Sequence, residues 1–140
     1  MPKRPSTAPD PSPRLRVVKQ RHSSDCAVAT LAMFLGVRYE DVLVAFNKPV
    51  IDIGVDFPKD MIAVARKLKT PLKLRKRFDH EVDDGILHVD LRAQSQAHVV
   101  VLMDGLVFDT DGAVWDYDDY LIAANAKPMG LLMRHTEIRK

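Results

Sequence analysis

The spacing of apolar residues along this chain changes once, from a helical period in the first half to alternation in the second. Cys26-Ala27-Val28-Ala29-Thr30-Leu31-Ala32-Met33-Phe34-Leu35 is apolar on nearly every side, so the helix it predicts must run through a core. Ser23, Ser24 and Asp25 stand before it as N-cap residues, and Gly36 follows at the C′ position. Cys26 then falls in the first turn. A second helix is predicted over 39–47, with Val42, Leu43 and Phe46 on one stripe. A third opens at Asp56 and Pro58 and carries Met61, Ile62, Ala65 and Leu68.

From Leu72 onward the period is two, which predicts strands over 72–75, 86–91, 98–103, 106–109 and 113–116. Asp104-Gly105 is a two-residue hairpin signal, because its positions tolerate positive φ, and it makes the sheet at least partly antiparallel. A short helix over 118–125 and a closing strand over 131–134 complete an order of helices first and strands second. That order is α+β.

A chain of 140 residues supplies one domain. Residues 1–16 hold Pro2, Pro5, Pro9, Pro11 and Pro13 among Ser, Thr and basic residues, which predicts a disordered tail before a single folded unit over 17–140. The 46% hydrophobic and 29% charged composition is that of an ordinary folded domain, and a net charge of +2 does not by itself argue for nucleic acid. The single cysteine excludes an intramolecular disulfide and every Cys-rich zinc pattern, and it fits a reducing, cytoplasmic setting. No apolar run approaches the roughly 18 residues of a membrane span, and the N-terminus lacks the apolar segment of a secretory signal. No cofactor and no metal is expected.

The lone thiol is the first candidate for chemistry. A cysteine attacks carbonyl carbon as thiolate, and a helix N-terminus favours that charge by only about 0.3–1 kcal/mol, so a neighbouring imidazolium must supply the rest. His98 opens the most apolar strand, His98-Val99-Val100-Val101-Leu102, where it can project into a cleft beside the helix start. With Asp104-Gly105 in the turn, Val100 faces Asp109 and His98 faces Asp111, all on one face of the ribbon. A carboxylate thus lies directly or diagonally across from the imidazole, as fixing its tautomer requires. Asp109 is favoured, since Thr110-Asp111-Gly112 reads as the next turn, where Asp111 would serve the backbone. Asp111 is the alternative. Gln20, six residues before Cys26, could return through a polar loop and donate its amide, with the Cys26 backbone N–H, to an oxyanion.

These residues resemble the C39-type cysteine peptidases of papain-like fold, known as leader-cleaving domains of bacterial transporters. The likeness lies in Gln20 through Leu35, in Gly54 to Leu68, in His98-Val99-Val100-Val101 and in Phe108-Asp109, in the order Gln, Cys, His, Asp. It implies a papain-like fold whose N-terminal helices pack the nucleophile helix on an antiparallel sheet. It further implies Gln20 as oxyanion residue, Cys26 as nucleophile, His98 as base and Asp109 as its orienter. The substrate would be a peptide or protein: a double-glycine leader, another peptide, or a different amide or thioester. Ala27 stands where the family has Gly after the nucleophile, and Thr110 where it has Pro after the Asp.

Two other readings compete. The run from Arg66 to Arg77 holds seven basic residues and no acid, which could bind nucleic acid or another polyanion. It lacks interleaved aromatics for base stacking, and Asp79, Glu81, Asp83 and Asp84 follow to neutralise it. A catalytically inactive papain-like module that binds a peptide or polyanion is the other. A metal site on His22 and Cys26 finds no third ligand. His88 and Asp90 read as a surface pair, and Phe108 and Trp115 as core.

Overall fold

Antiparallel pairing joins six strands in the order β1-β6-β2-β3-β4-β5. They are β1 (Leu72–Arg75), β2 (Gly85–Leu91), β3 (Gln96–Met103), β4 (Leu106–Phe108), β5 (Val114–Asp116) and β6 (Ala126–Arg134). The computed structural model describes residues 15–137. Among these, five α-helices accompany the sheet: α1 (Cys26–Leu35), α2 (Tyr39–Phe46), α3 (Val50–Ile53), α4 (Lys59–Lys67) and α5 (Tyr117–Ala123). The class is α+β, as the change of period predicts. Among the described residues no helix is long and apolar enough to cross a membrane.

The residues of α1 from Ala27 to Phe34 are all buried, which is the only stable setting for a helix without a polar face. It packs on β3 and β2 and against α2 and α4. Gly36 ends it in the left-handed region (φ 70°), donating its N–H to the Ala32 carbonyl at 3.0 Å. Thr30, buried within the helix, donates its hydroxyl to the Ala27 carbonyl at 3.1 Å.

Both faces of the sheet are covered. Ile86, Val99, Val101 and Phe108 meet α1, α2 and α4 on one side. Leu87, Val89, Val100, Leu102 and Val107 meet Tyr117 and Tyr120 of α5 on the other. Burial on two faces explains why β3 is a continuous apolar run. At the predicted hairpin Met103 pairs with Leu106 across Asp104 (φ 54°) and Gly105 (φ 76°), the φ signs that a type I′ turn requires.

The structure corrects three boundaries. Leu15, assigned to the tail, is buried in the first core, so the packed chain starts before Val17; residues 1–14 lie outside the described residues. The one-turn α3 is absent from the sequence expectation. Finally, β6 begins at Ala126 rather than at Leu131, because Pro128 and Gly130 disguise it as a turn. Its register with β2 moves from His88↔Gly130 to Val89↔Pro128, leaving Met129 as the extra residue of a bulge. A bulge is where a residue without an N–H can sit inside a sheet.

The basic run covers the last turn of α4 and the edge strand β1, where Lys and Arg discourage pairing with another chain. The Asp79 carboxylate accepts the N–H of Glu81 at 2.9 Å and Asp83 that of Asp79 at 2.8 Å.

Gly85 opens β2 hard against the Leu132 backbone of β6. A Cβ there would meet the Leu132 carbonyl oxygen at 2.2 Å and Leu131 Cγ at 2.9 Å. Gly85→Ala is expected to lower unfolding free energy by about 2 kcal/mol or more, read from urea denaturation, since backbone must move to relieve the clash.

Candidate active site

Cys26, half-buried, is the first residue of α1, and the loop before it is built around one carboxylate. Asp25 is fully buried and accepts the backbone N–H groups of Arg21 at 2.9 Å and His22 at 3.0 Å, together with the Tyr39 hydroxyl. It holds the N-cap position the sequence assigns, but its side chain caps no N–H of α1; it turns back to the preceding loop instead. Burial, and then the bond to Asp25, push the Tyr39 hydroxyl pKa up, so the phenol stays a donor. Arg21 lies over the Tyr39 ring at 4.0 Å and pairs with Glu40 at 3.0 Å, closing the loop from outside.

The hairpin of β3 and β4 delivers the other two groups. His98 Nε2 lies 3.0 Å from Asp109 Oδ1, and the two side chains are only 14% and 18% exposed. The hydrogen bond runs diagonally, since the registered pairs end at Val101↔Phe108 and Asp109 follows one residue beyond. Asp111 is exposed and accepts the Ala113 N–H at 2.8 Å, the backbone duty expected of a turn residue. Cys26 and His98 line the same cavity, near enough for the sulfur to act on the imidazole. With Nε2 engaged by Asp109, Nδ1 is the ring nitrogen left for the sulfur. Burial works against the imidazolium, yet the bond to Asp109 and the negative charge of Asp109 and Cys26 prevail, raising the His98 pKa from 6.5 to about 9.

Gln20 reaches the same region by another route. Its backbone N–H donates to the Thr110 carbonyl at 2.8 Å, its Oε1 accepts from the Thr110 hydroxyl, and its Nε2 donates to the His22 carbonyl at 2.6 Å. Thr110, 1% exposed, also donates its N–H to Asp109 Oδ1 at 2.7 Å. A proline here would have neither donor. So the structure brings Cys26, His98 and Asp109 into one contiguous set, with Gln20 joined to it through Thr110 and one amide N–H directed into its own loop.

Sequence reasoning missed three participants. Asp25 looks like a cap in the sequence because caps and loop anchors use the same residue types. Thr110 gave no signal beyond its place beside Asp109. Tyr120, 2% exposed on α5 and part of the second core, has its hydroxyl pKa pushed up by burial and then by the charges of Asp109, Asp111 and Cys26.

A cavity of about 270 Å³ opens at the thiol, lined by Cys26, His98, Val55, Phe57, His88 and Val99 among others. His88 is not the surface partner of Asp90 that the sequence suggested. Its ring lies tilted against Phe57, centroids 4.2 Å apart, and burial pushes its pKa down against the charge of Asp90. Among the described residues no three His, Cys, Asp or Glu side chains gather as metal ligands.

An imidazole held between a thiol and a carboxylate can take the thiol's proton and return it elsewhere, with its tautomer set by the carboxylate. The raised His98 pKa contributes stability that is complete below 6.5 and is lost as pH rises through about 9. Urea midpoints are therefore expected to fall between those values, and Asp109→Asn to flatten that fall while moving the His98 imidazole titration, followed by NMR, downward. Asp25→Ala is expected to cost roughly 2–4 kcal/mol in the same denaturation measurement, because two backbone N–H groups and a phenol lose a charged acceptor. The sequence matches no protein-family model and no curated protein.

Proposed function

We propose that this chain is a cysteine hydrolase of papain-like fold, similar to the C39-type peptidases, that cuts a peptide or other amide bond. The observation that carries this is the contiguous Cys26, His98 and Asp109 set at a helix start, opening on an apolar cavity. His98, its pKa raised to about 9, holds as imidazolium the proton given up by Cys26, and the thiolate attacks the carbonyl carbon, moving the carbonyl π pair onto oxygen. That oxyanion meets the Cys26 backbone N–H, one of the unpaired donors at the start of α1. The second donor is the remaining N–H of the Gln20 amide. His98 then gives its proton to the leaving nitrogen as the C–N bond breaks, leaving a thioester. Water adds with His98 as base, and the C–S bond breaks to release the acid and restore the thiol. A reducing compartment such as the cytoplasm suits a mechanism that needs a free thiol.

One observation favours a second reading, a module that binds peptide without cutting it: Gln20 Nε2 donates to the His22 carbonyl at 2.6 Å, which leaves it a single N–H for catalysis. Alkylation separates the two. In the native protein iodoacetamide is expected to modify Cys26 at pH 6, with His98→Ala slowing the reaction at least about tenfold. With a peptide substrate, Cys26→Ala is expected to abolish turnover while leaving the denaturation midpoint nearly unchanged, and His98→Ala to reduce it by about 10²–10⁴. Asp109→Ala should impair turnover and Asp111→Ala should not. A thiol that reacts only after unfolding would remove the hydrolase reading.

A further inference from the structure

The basic run from Arg66 to Arg77 takes no part in the site around Cys26, and the acids that follow it do not cancel its charge. Asp79, Asp83 and Asp84 accept the backbone N–H groups of Glu81, Asp79 and Asp104, at 2.9, 2.8 and 3.0 Å. Lys67 turns its ammonium to the Ala45 carbonyl at 2.9 Å. Among the described residues, Arg66, Lys69, Lys73, Arg75, Lys76 and Arg77 form no ion pair with an acidic side chain.

These charges border an open edge of the sheet. β1 ends the strand order, and among the described residues it pairs with β6 alone. His135, just past β6, donates its N–H to the Pro71 carbonyl at 3.0 Å, so by the alternation of an antiparallel ladder Lys73 and Arg75 also bond toward β6. The backbone groups that point outward are therefore the N–H and C=O of Leu72 and Leu74. Their side chains pack on the first core, which leaves Lys73 and Arg75 together on the other face, beside the open edge. Lys76 and Arg77, both exposed, continue the strip.

We infer that this edge takes an extended acidic segment of another protein as an added strand, with Asp or Glu at alternate positions against Lys73 and Arg75. A strand edge offers donors and acceptors by turns, and a second peptide backbone answers both, whereas phosphate groups answer only the donors. No aromatic residue lies between Arg66 and Arg77 to stack a base. The same charges repel a second copy of this edge and give an uncharged strand no gain, so they select partners by sign. None of the run lines the cavity at Cys26, and the inference is independent of the hydrolase reading.

The test uses the intact protein and a short fluorescein-labelled peptide of alternating glutamate and threonine, followed by anisotropy. It is expected to bind at least about tenfold more tightly than its glutamine counterpart, and than a backbone N-methylated version that keeps the charge and loses the donors. Affinity should fall as salt rises. Lys73→Glu combined with Arg75→Glu should weaken binding at least about tenfold with the urea midpoint nearly unchanged, and the peptide comparisons on the unaltered protein decide if that variant does not fold. Amide exchange at Leu72 and Leu74 should slow on binding. Equal affinity for the unmodified and N-methylated peptides would reduce the edge to a charged patch and overturn the added strand. Tighter binding of oligothymidylate at the same residues would assign the edge to nucleic acid and overturn the peptide partner. Failure of the acidic peptide to bind at low salt would overturn the proposal outright.

Discussion

A helix with no polar face persists in water only when it is enclosed on all sides, and enclosing α1 dictates the arrangement of the rest. The sheet supplies one wall and α2 and α4 the others. Only the two ends of such a helix can reach solvent, and its N-terminal end carries Cys26 at the mouth of the cavity. Burying the helix body therefore places the one thiol of the chain where it is both held and accessible. The histidine and aspartate arrive from the sheet that forms the opposite wall.

Buried polar groups then set the loops around that end. A carboxylate as enclosed as Asp25 is tolerable only with its lone pairs occupied, and the donors that occupy them come from the loop itself and from Tyr39. The same logic holds at Thr110, whose N–H and hydroxyl join Asp109 to Gln20. Two segments far apart in sequence are thus fastened beside Cys26 by groups that would be costly to leave unpaired. The electrostatics follow, since a histidine between a carboxylate and a thiol holds its proton more tightly than one in water.

Much of this was legible from the chain because local chemistry and the global fold agree where the site is built. The Asp-Gly turn set the β3–β4 register and brought both carboxylates opposite His98, and the next turn, which occupies Asp111, left Asp109 for the bond. What was not legible depends on contacts that no local pattern encodes. The start of β6 was hidden by Pro128 and Gly130, acceptable in a strand only because a bulge forms against β2. Alternation around His88 implies one wet face, whereas this sheet is covered on both. The direction of the Gln20 amide is decided by Thr110, a partner ninety residues away.

The β3–β4 hairpin carries both His98 and Asp109, whereas Cys26 belongs to the helical layer. The two sets are held differently: the imidazole and carboxylate share a ribbon closed by a two-residue turn, while the sulfur reaches them only across a seam between layers. Breathing along that seam would uncouple the sulfur as a clutch does, leaving the proton relay assembled and ready to re-engage when the layers close.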